Sequence, residues 1–224
     1  MKNKMNKLMA ILLVSITIFS CKKDDATIDT TNNGTYKVFT QGNVTTVQNL
    51  LGDTIMGLNP ITGQPFGSGK FTFFNLASGQ LVANSDSATN KWDIAFRGTT
   101  IITNNGTSGP GLGGGFVQVG LFNDVLKVSS DSTIKIDNAP IYAITIGSNK
   151  GWYVYDGPNN LITPIPGRVL IFRTATGKYA KMEILNYYKG GVTPSASASD
   201  ATKLTQQRYF TFRYTYQASG STTF

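Results

Sequence analysis

From Tyr36 onward, apolar and polar residues alternate along short stretches that Gly, Asn, Pro and Ser interrupt. A period of two places successive side chains on opposite faces of an extended chain, so it predicts β-strands. The candidate strands are 36–40, 44–51, 71–76, 80–82, 92–97, 99–103, 116–119, 133–136, 141–146, 152–155, 169–174, 179–186 and 208–217. Apart from one helical turn suggested at 124–127, no helix is predicted. The expected fold class is all-β: a single antiparallel, β-sheet-rich domain of about a dozen strands with long Gly/Pro loops.

The last two predicted strands show the alternation most clearly. Phe210, Phe212, Tyr214 and Tyr216 share one face of the final strand, which predicts that this face packs in the core. Met182 alternates in the same way in the strand before it, so we interpret it as core filling and not as a metal ligand.

Two segments do not fit a strand pattern. Residues 104–115 and 157–167 are rich in Gly and Pro, and long loops of this kind either grip a ligand or simply connect strands. Residues 109–114 formally match the G-x-G-x-x-G pattern of dinucleotide-binding loops. That motif requires a following helix, whereas 116–119 alternates like a strand, so we reject a nucleotide site.

The composition excludes several classes of chemistry. The chain contains no His and one Cys, so it has neither a Ser–His or Cys–His nucleophile nor a His-ligated zinc or haem. Charged residues make up 14% of the chain, and Gly reaches 24 residues. Because most acid–base catalysis uses His or paired carboxylates, we expect a binding protein and not an enzyme.

The N-terminus predicts a lipid-anchored export signal. Lys2, Lys4 and Lys7 precede an apolar stretch at 8–20 that is too short to cross a bilayer, and Cys21 follows directly. This order is typical of a bacterial lipoprotein signal peptide at 1–20 with Cys21 as the lipidation site. The polar residues at 21–34 then predict a lipidated, flexible tether, ahead of a domain at 35–217 and a C-terminal tail at 218–224.

Removal of that leader also changes the charge. Three lysines and no acidic residue leave with it, so the formal net charge falls from +8 to +5. Much of the basic character therefore belongs to the leader, and we expect no nucleic-acid partner.

Several segments, in this order, resemble the HmuY-like family of haem-binding lipoproteins of Bacteroidetes-type bacteria. They are the hairpin beginning at Phe71, NKWDIAFR at 90–97, NGTSG at 105–109, VLIFRT at 169–174, GKYAKM at 177–182 and YYKG at 187–190. The resemblance covers about residues 68–217. It implies a single all-β domain on a lipid anchor, exposed at the surface of the outer membrane. It also implies capture of haem for iron acquisition, and transfer of the haem to a TonB-dependent receptor.

The chain departs from this family at the iron ligands. Family members ligate haem through a pair of His or, in some members, Met, and no such ligand can be transferred to a matching position here. The metal ligand is therefore unknown. Tyr153 or Tyr155 could supply a phenolate oxygen, or Phe116, Tyr142 and Trp152 could hold a porphyrin by stacking alone.

Two other functions stay open. A glycan- or peptide-binding β module without haem activity would carry exposed aromatic residues along a groove. An adhesion or scaffold protein would have no ligand pocket. A single apolar slot between the loops at 104–115 and 147–167 would favour the porphyrin.

Overall fold

The computed structural model describes residues 29–32, 36–63 and 65–224, with side chains from Tyr36 onward. The predicted signal peptide and Cys21 lie outside the described residues. The strands are β1 (Asp29–Asn32), β2 (Lys37–Gln41), β3 (Val44–Leu51), β4 (Ile55–Leu58), β5 (Pro65–Gly67), β6 (Thr72–Asn75), β7 (Gln80–Val82), β8 (Ile94–Arg97), β9 (Thr100–Thr103), β10 (Gly114–Val119), β11 (Tyr153–Asp156), β12 (Leu161–Pro164), β13 (Arg168–Arg173), β14 (Tyr179–Tyr188) and β15 (Gln207–Gln217). One short α-helix, α1 (Asp200–Gln206), precedes β15.

These strands form four antiparallel sheets. The largest has seven strands in the order β1-β2-β3-β15-β14-β13-β10, and a second has the order β7-β6-β8-β9. β4 with β5 and β11 with β12 form two separate hairpins. The mostly-β architecture is confirmed, but the strands do not make one sheet, because the chain leaves the main sheet after β3 to build the smaller ones.

The core lies between the two larger sheets. Phe212 on β15 packs edge-on against Phe74 on β6 with ring centroids 5.7 Å apart, and Phe210 contacts Phe96 on β8 at 4.7 Å. All four rings are fully buried, and each buried ring of this size contributes about 1.5–3 kcal/mol. The face predicted from alternation in β15 is therefore the core face. Met182 is also fully buried, as predicted.

The opposite face of the main sheet is covered as well. Lys181 on β14 is buried and donates to the carbonyl oxygens of Phe122 and Val125 at 2.9 and 2.8 Å. Burial lowers the pKa of its ammonium group, and the nearby Arg213 lowers it further. The C-terminal residue Phe224 donates its N–H to Leu126 in the same layer. The alternation of 179–185 places Lys181 and Glu183 on this mostly polar face, which suits an exposed position, but the connection after β10 and the C-terminal segment cover Lys181.

The elements differ from the prediction at several places. The predicted strands 133–136 and 141–146 form only isolated bridges through Lys135 and Ile141. Strands β4, β5 and β12 were not predicted, and β1 lies inside the range expected as a tether. Residues 122–124 form a turn. The helix α1 was also missed, although Ser199 caps it by accepting the N–H of Thr202. No helix in the described part of the chain is long and apolar enough to cross a membrane.

Candidate functional site

The glycine-rich loop at 104–115 is closed around the side chain of Asn104. The Asn104 amide is fully buried and donates to the carbonyl oxygens of Thr89 and Trp92 at 2.9 and 2.7 Å. Its own oxygen accepts the N–H of Gly111 at 3.0 Å. A side chain at Gly113 would place a Cβ 2.7 Å from the Asn104 carbonyl oxygen, so glycine is required here for close packing and not for ligand access.

Two buried aspartates hold the loop from either side. Asp93 accepts the backbone N–H groups of Leu76 and Ala175 at 2.8 and 3.0 Å, and Asp137 accepts those of Thr103 and Ala143 at 2.8 Å each. Burial raises the pKa of the Asp93 carboxyl group, and the two N–H donors oppose that rise. Both carboxylates accept backbone N–H groups that would otherwise pair with the carbonyl oxygens of a neighbouring strand. We therefore assign them a structural role.

The five aromatic residues predicted to bind the ligand do not meet in one place. Phe116 is buried in the cluster behind the main sheet, and Tyr142 is half-buried against Trp92 and its neighbours. Trp152 is buried with its Nε1 donating to the Thr99 carbonyl at 3.0 Å.

The remaining two predicted residues differ in exposure. Tyr153 is buried, and its Oη accepts the Thr99 hydroxyl at 3.4 Å. Tyr155 is 43% exposed. Of the five, Tyr155 is the most exposed, and ligand contact by all five stays a prediction.

The two loops expected to form one slot do not line a common cavity among those described here. Of the three cavities that we describe within residues 36–63 and 65–224, none is lined by a residue of 104–115. Tyr155, Asn160 and Ile162, from the second loop, line one of them together with the β4–β5 hairpin and α1. The apolar slot between the two loops is therefore not found there, because hydrogen bonds to Asn104 and Asp137 fill the interior of the first loop.

An apolar groove lies instead between the β4–β5 hairpin and α1. This hairpin groove has a volume of about 390 Å³, within the usual range of small-molecule sites. Its lining consists of Leu51, Thr54, Ile55, Met56, Gly57, Leu58, Ala201, Leu204, Thr205, Gln207 and Tyr209. None of these described lining residues is charged. Met56 and Leu58 are 63% and 50% exposed, so apolar surface is available to a ligand.

Two side chains of the hairpin groove can ligate a metal. The Met56 thioether and the Tyr209 phenol are both groups that hold haem iron in proteins. Lys189 is not among the lining residues, but its Nζ lies 5.9 Å from the centroid of the Tyr209 ring, so one positive charge is near the groove. The groove thus combines apolar walls with one thioether and one phenol that can ligate a metal, and one cation lies nearby.

A buried ion pair fixes the foot of the hairpin. Arg208 Nη1 lies 3.2 Å from Asp53 Oδ2, and the Ser68 hydroxyl donates to Asp53 Oδ1 at 2.6 Å. Asp53 and Arg208 both have left-handed backbones, with φ of 86° and 73°, which costs about 1–3 kcal/mol each. A Cβ at Gly67 would collide with the Asp53 carboxylate. The pair therefore places the hairpin against β15 at the mouth of the groove.

No group of three or more Cys, Asp or Glu that could hold a metal ion occurs among the described residues.

Sequence reasoning missed this groove because its two walls are far apart in the chain. The hairpin contributes residues near 55, and α1 with β15 contributes residues near 205. One signal was present in the sequence: Ile55, Met56 and Leu58 form an apolar stretch that no predicted strand used. Met56 was also left outside the region of family resemblance.

Comparisons with known proteins give the following. No protein-family model matches the chain, and no curated protein matches it. A solved structure from Bacteroides fragilis, assigned as a lipoprotein, is 16% identical with a TM-score of 0.41, over 84% of this chain and 94% of that chain. One from Bacteroides vulgatus, assigned as an HmuY-like haem-binding protein, is 17% identical with a TM-score of 0.35, over 65% of this chain and 84% of that chain. The structural neighbours thus include an HmuY-like protein and a lipoprotein, as the sequence resemblance predicts, and neither match locates a ligand site.

Proposed function

We propose that this protein is a lipid-anchored, surface-exposed protein of the outer membrane that binds haem or a related porphyrin, and that it is not an enzyme. The observation that carries the ligand is the hairpin groove, an apolar cavity of about 390 Å³ with Met56 and Tyr209 in its walls. The anchor rests on the signal pattern that ends at Cys21.

The groove suits a flat apolar ligand for a simple reason. Met56 and Leu58 of the hairpin and Leu204 of α1 all line the groove, so a planar guest bound there would bury apolar surface against both elements. Burial of apolar surface contributes about 25 cal/mol per Å², which makes such a guest favourable even without a bond to iron.

Iron ligation would come from Met56, Tyr209 or both. A thioether sulfur and a phenolate oxygen each occur as axial haem ligands, and neither requires a histidine. The Lys189 ammonium group near Tyr209 would pair with a propionate at the groove rim. This donor set replaces Tyr153 and Tyr155 as our choice of ligands, because Tyr153 is buried and Tyr155 lines another cavity.

Uptake requires a second protein. A protein that captures haem at the surface must release it to a transporter, and we propose a TonB-dependent outer-membrane receptor in that role. The exposed hairpin is suited to such a transfer, because a receptor that moved the hairpin would open the groove and free the ligand.

Titration of the purified protein with hemin tests the proposal. We expect a shift of the Soret band that saturates with one hemin per protein. Met56→Leu should preserve the apolar contact but change the ligand-field spectrum, and Met56→Ala should also weaken binding by about tenfold or more. Tyr155→Phe, outside the groove, is the matched control and should behave as wild type.

Two results would contradict the proposal. A wild-type protein that leaves the Soret band unchanged does not bind hemin specifically. Hemin binding that is insensitive to Met56→Ala and Tyr209→Phe would place the ligand elsewhere on the molecule.

A further inference from the structure

We propose that a second cavity, on the other side of α1 from the hairpin groove, binds a neutral saccharide. This tyrosine cleft has a volume of about 350 Å³ and is lined by Thr62, Gly63, Pro65, Tyr155, Asn160, Ile162, Asp200, Lys203, Leu204 and Gln207. It lies between the tip of the β4–β5 hairpin, the β11–β12 hairpin and α1. The two cavities share Leu204 and Gln207, but their remaining lining residues differ.

The cleft contains an aromatic platform beside a chain of polar groups. Tyr155 is 43% exposed, and its hydroxyl donates to Asn160 Oδ1 at 2.8 Å. Asn160 Nδ2 in turn donates to Asp200 Oδ1 at 3.0 Å. The three side chains come from two distant parts of the sequence and are held in one row by these bonds, so their positions are fixed before a ligand arrives.

This combination matches the chemistry of a sugar ring. A pyranose presents an apolar C–H face, which packs on an aromatic ring, and a rim of hydroxyl groups, which need both donors and acceptors. The Asp200 side chain is 65% exposed, and the second carboxylate oxygen of Asp200 can accept from hydroxyls. The Asn160 amide and the Tyr155 hydroxyl supply mixed donor and acceptor atoms beside it.

The charges of the cleft favour a neutral ligand over an anion. Lys203 is the one cation among the lining residues that the structure describes, and its Nζ donates to the Ala196 carbonyl at 2.8 Å while its side chain is only 6% exposed. Lys203 Nζ also lies 3.9 Å from Asp200 Oδ1, so the two charges of the described lining compensate each other and the cleft carries no net charge.

The turn between β11 and β12 explains the backbone of Asn160. Asn160 has a left-handed backbone with φ of 50°, which Asn adopts readily in turns. Here the bonds to Tyr155 and Asp200 hold the residue, and the same bonds orient the polar edge of the cleft.

Saturation-transfer-difference NMR and calorimetry with glucose, galactose, mannose, N-acetylglucosamine and their linear oligomers test this site. We expect saturable binding of at least one of these neutral saccharides, with saturation transfer from the Tyr155 ring. Tyr155→Ala should weaken binding at least tenfold, and Asp200→Asn should weaken it measurably. Tyr155 and Asp200 are exposed, and a thermal melt of each variant verifies that it is folded.

The matched control is Tyr216→Ala. Tyr216 is a half-buried tyrosine that lines a third cavity, beside Asn43 and Gln80, and its removal should leave saccharide binding unchanged. The proposal is wrong if none of the named saccharides binds, or if Tyr216→Ala abolishes binding while Tyr155→Ala does not. Met56→Ala should leave saccharide binding intact, so failure of the haem proposal and failure of this one can be told apart.

Discussion

The glycine-rich loop at 104–115 and the β4–β5 hairpin are held to the protein in opposite ways. The loop surrounds a fully buried amide, Asn104, whose donors and acceptor are all engaged by neighbouring backbone. The hairpin is fixed at its foot by the Asp53–Arg208 ion pair, and its apolar side chains point away from the core, with Ile61 at the tip 92% exposed. A segment whose polar groups are satisfied internally has no room for a guest. A segment whose apolar side chains face away from the core leaves a groove beside it.

The largest effect is expected at the foot of the hairpin. Asp53→Ala leaves the Arg208 guanidinium buried without its carboxylate, so it should lower the free energy of unfolding by about 3–5 kcal/mol. Urea denaturation measures this change. Glu183→Gln, at the partly exposed Glu183–Arg213 pair, is the matched control and should cost about 1 kcal/mol or less. Equal losses in the two variants would contradict the view that the hairpin depends on this single buried pair.

The next effect is expected in the glycine-rich loop. Asn104→Ala leaves two carbonyl oxygens and one N–H without their buried partner and should cost about 3 kcal/mol of unfolding free energy. Asn90→Ala, at an exposed position of the preceding connection, should stay within about 0.5 kcal/mol of wild type. A loop that opened to admit a ligand would instead tolerate the loss of Asn104, and amide hydrogen exchange at Gly111 would then be fast in both proteins.

The smallest expected effect is a loss of stability at alkaline pH, caused by the buried Tyr214. Burial raises the pKa of Tyr214 from 10.0 to about 12, despite a hydrogen bond to Thr45, and the charge of the nearby Asp93 adds to the rise. The folded state therefore holds this proton more tightly than the unfolded state. The resulting stability is complete below pH 10.0 and is lost as the pH rises through about 12, by roughly 2–3 kcal/mol in total.

Tyr214→Phe tests that assignment. Urea unfolding between pH 9 and pH 12 should show a shallower loss of stability in the variant than in wild type. Identical alkaline slopes would mean that Tyr214 is accessible to water in the folded state, and the core beneath Asp93 would then be looser than its burial indicates.

The alternation of side chains predicted the main strands because burial on one face leaves a direct mark on the sequence. Phe210 and Phe212 illustrate this, since both are in the core on the predicted face. The grooves could not be predicted in the same way. The hairpin groove is built from residues near 55 and near 205, brought together by pairing of β15 with β3, and the tyrosine cleft from residues near 62, 160 and 203. No local pattern encodes either meeting.

Glycine and aromatic counts do not locate a site, for a related reason. A run of glycines has the same composition whether it opens toward a ligand or, like Gly113, lets the backbone close on itself. Trp152 likewise has the same sequence signature in a core as in a binding site. The helix α1 was the more avoidable omission, because Ser199 followed by Asp200 is a recognisable start signal.

The Gly67 contact at the hairpin foot limits how this protein can be changed. A methyl group there would overlap the Asp53 carboxylate, and Arg208 lies on the same side, so positions 53, 67 and 208 can only vary together. Sequence drift, or laboratory selection for a different ligand, would then substitute the outer positions of the hairpin, such as 56, 58 and 61. The residues at the foot of the hairpin would stay constant. Divergent homologues should accordingly keep the residues at positions 53, 67 and 208 and vary at positions 56, 58 and 61.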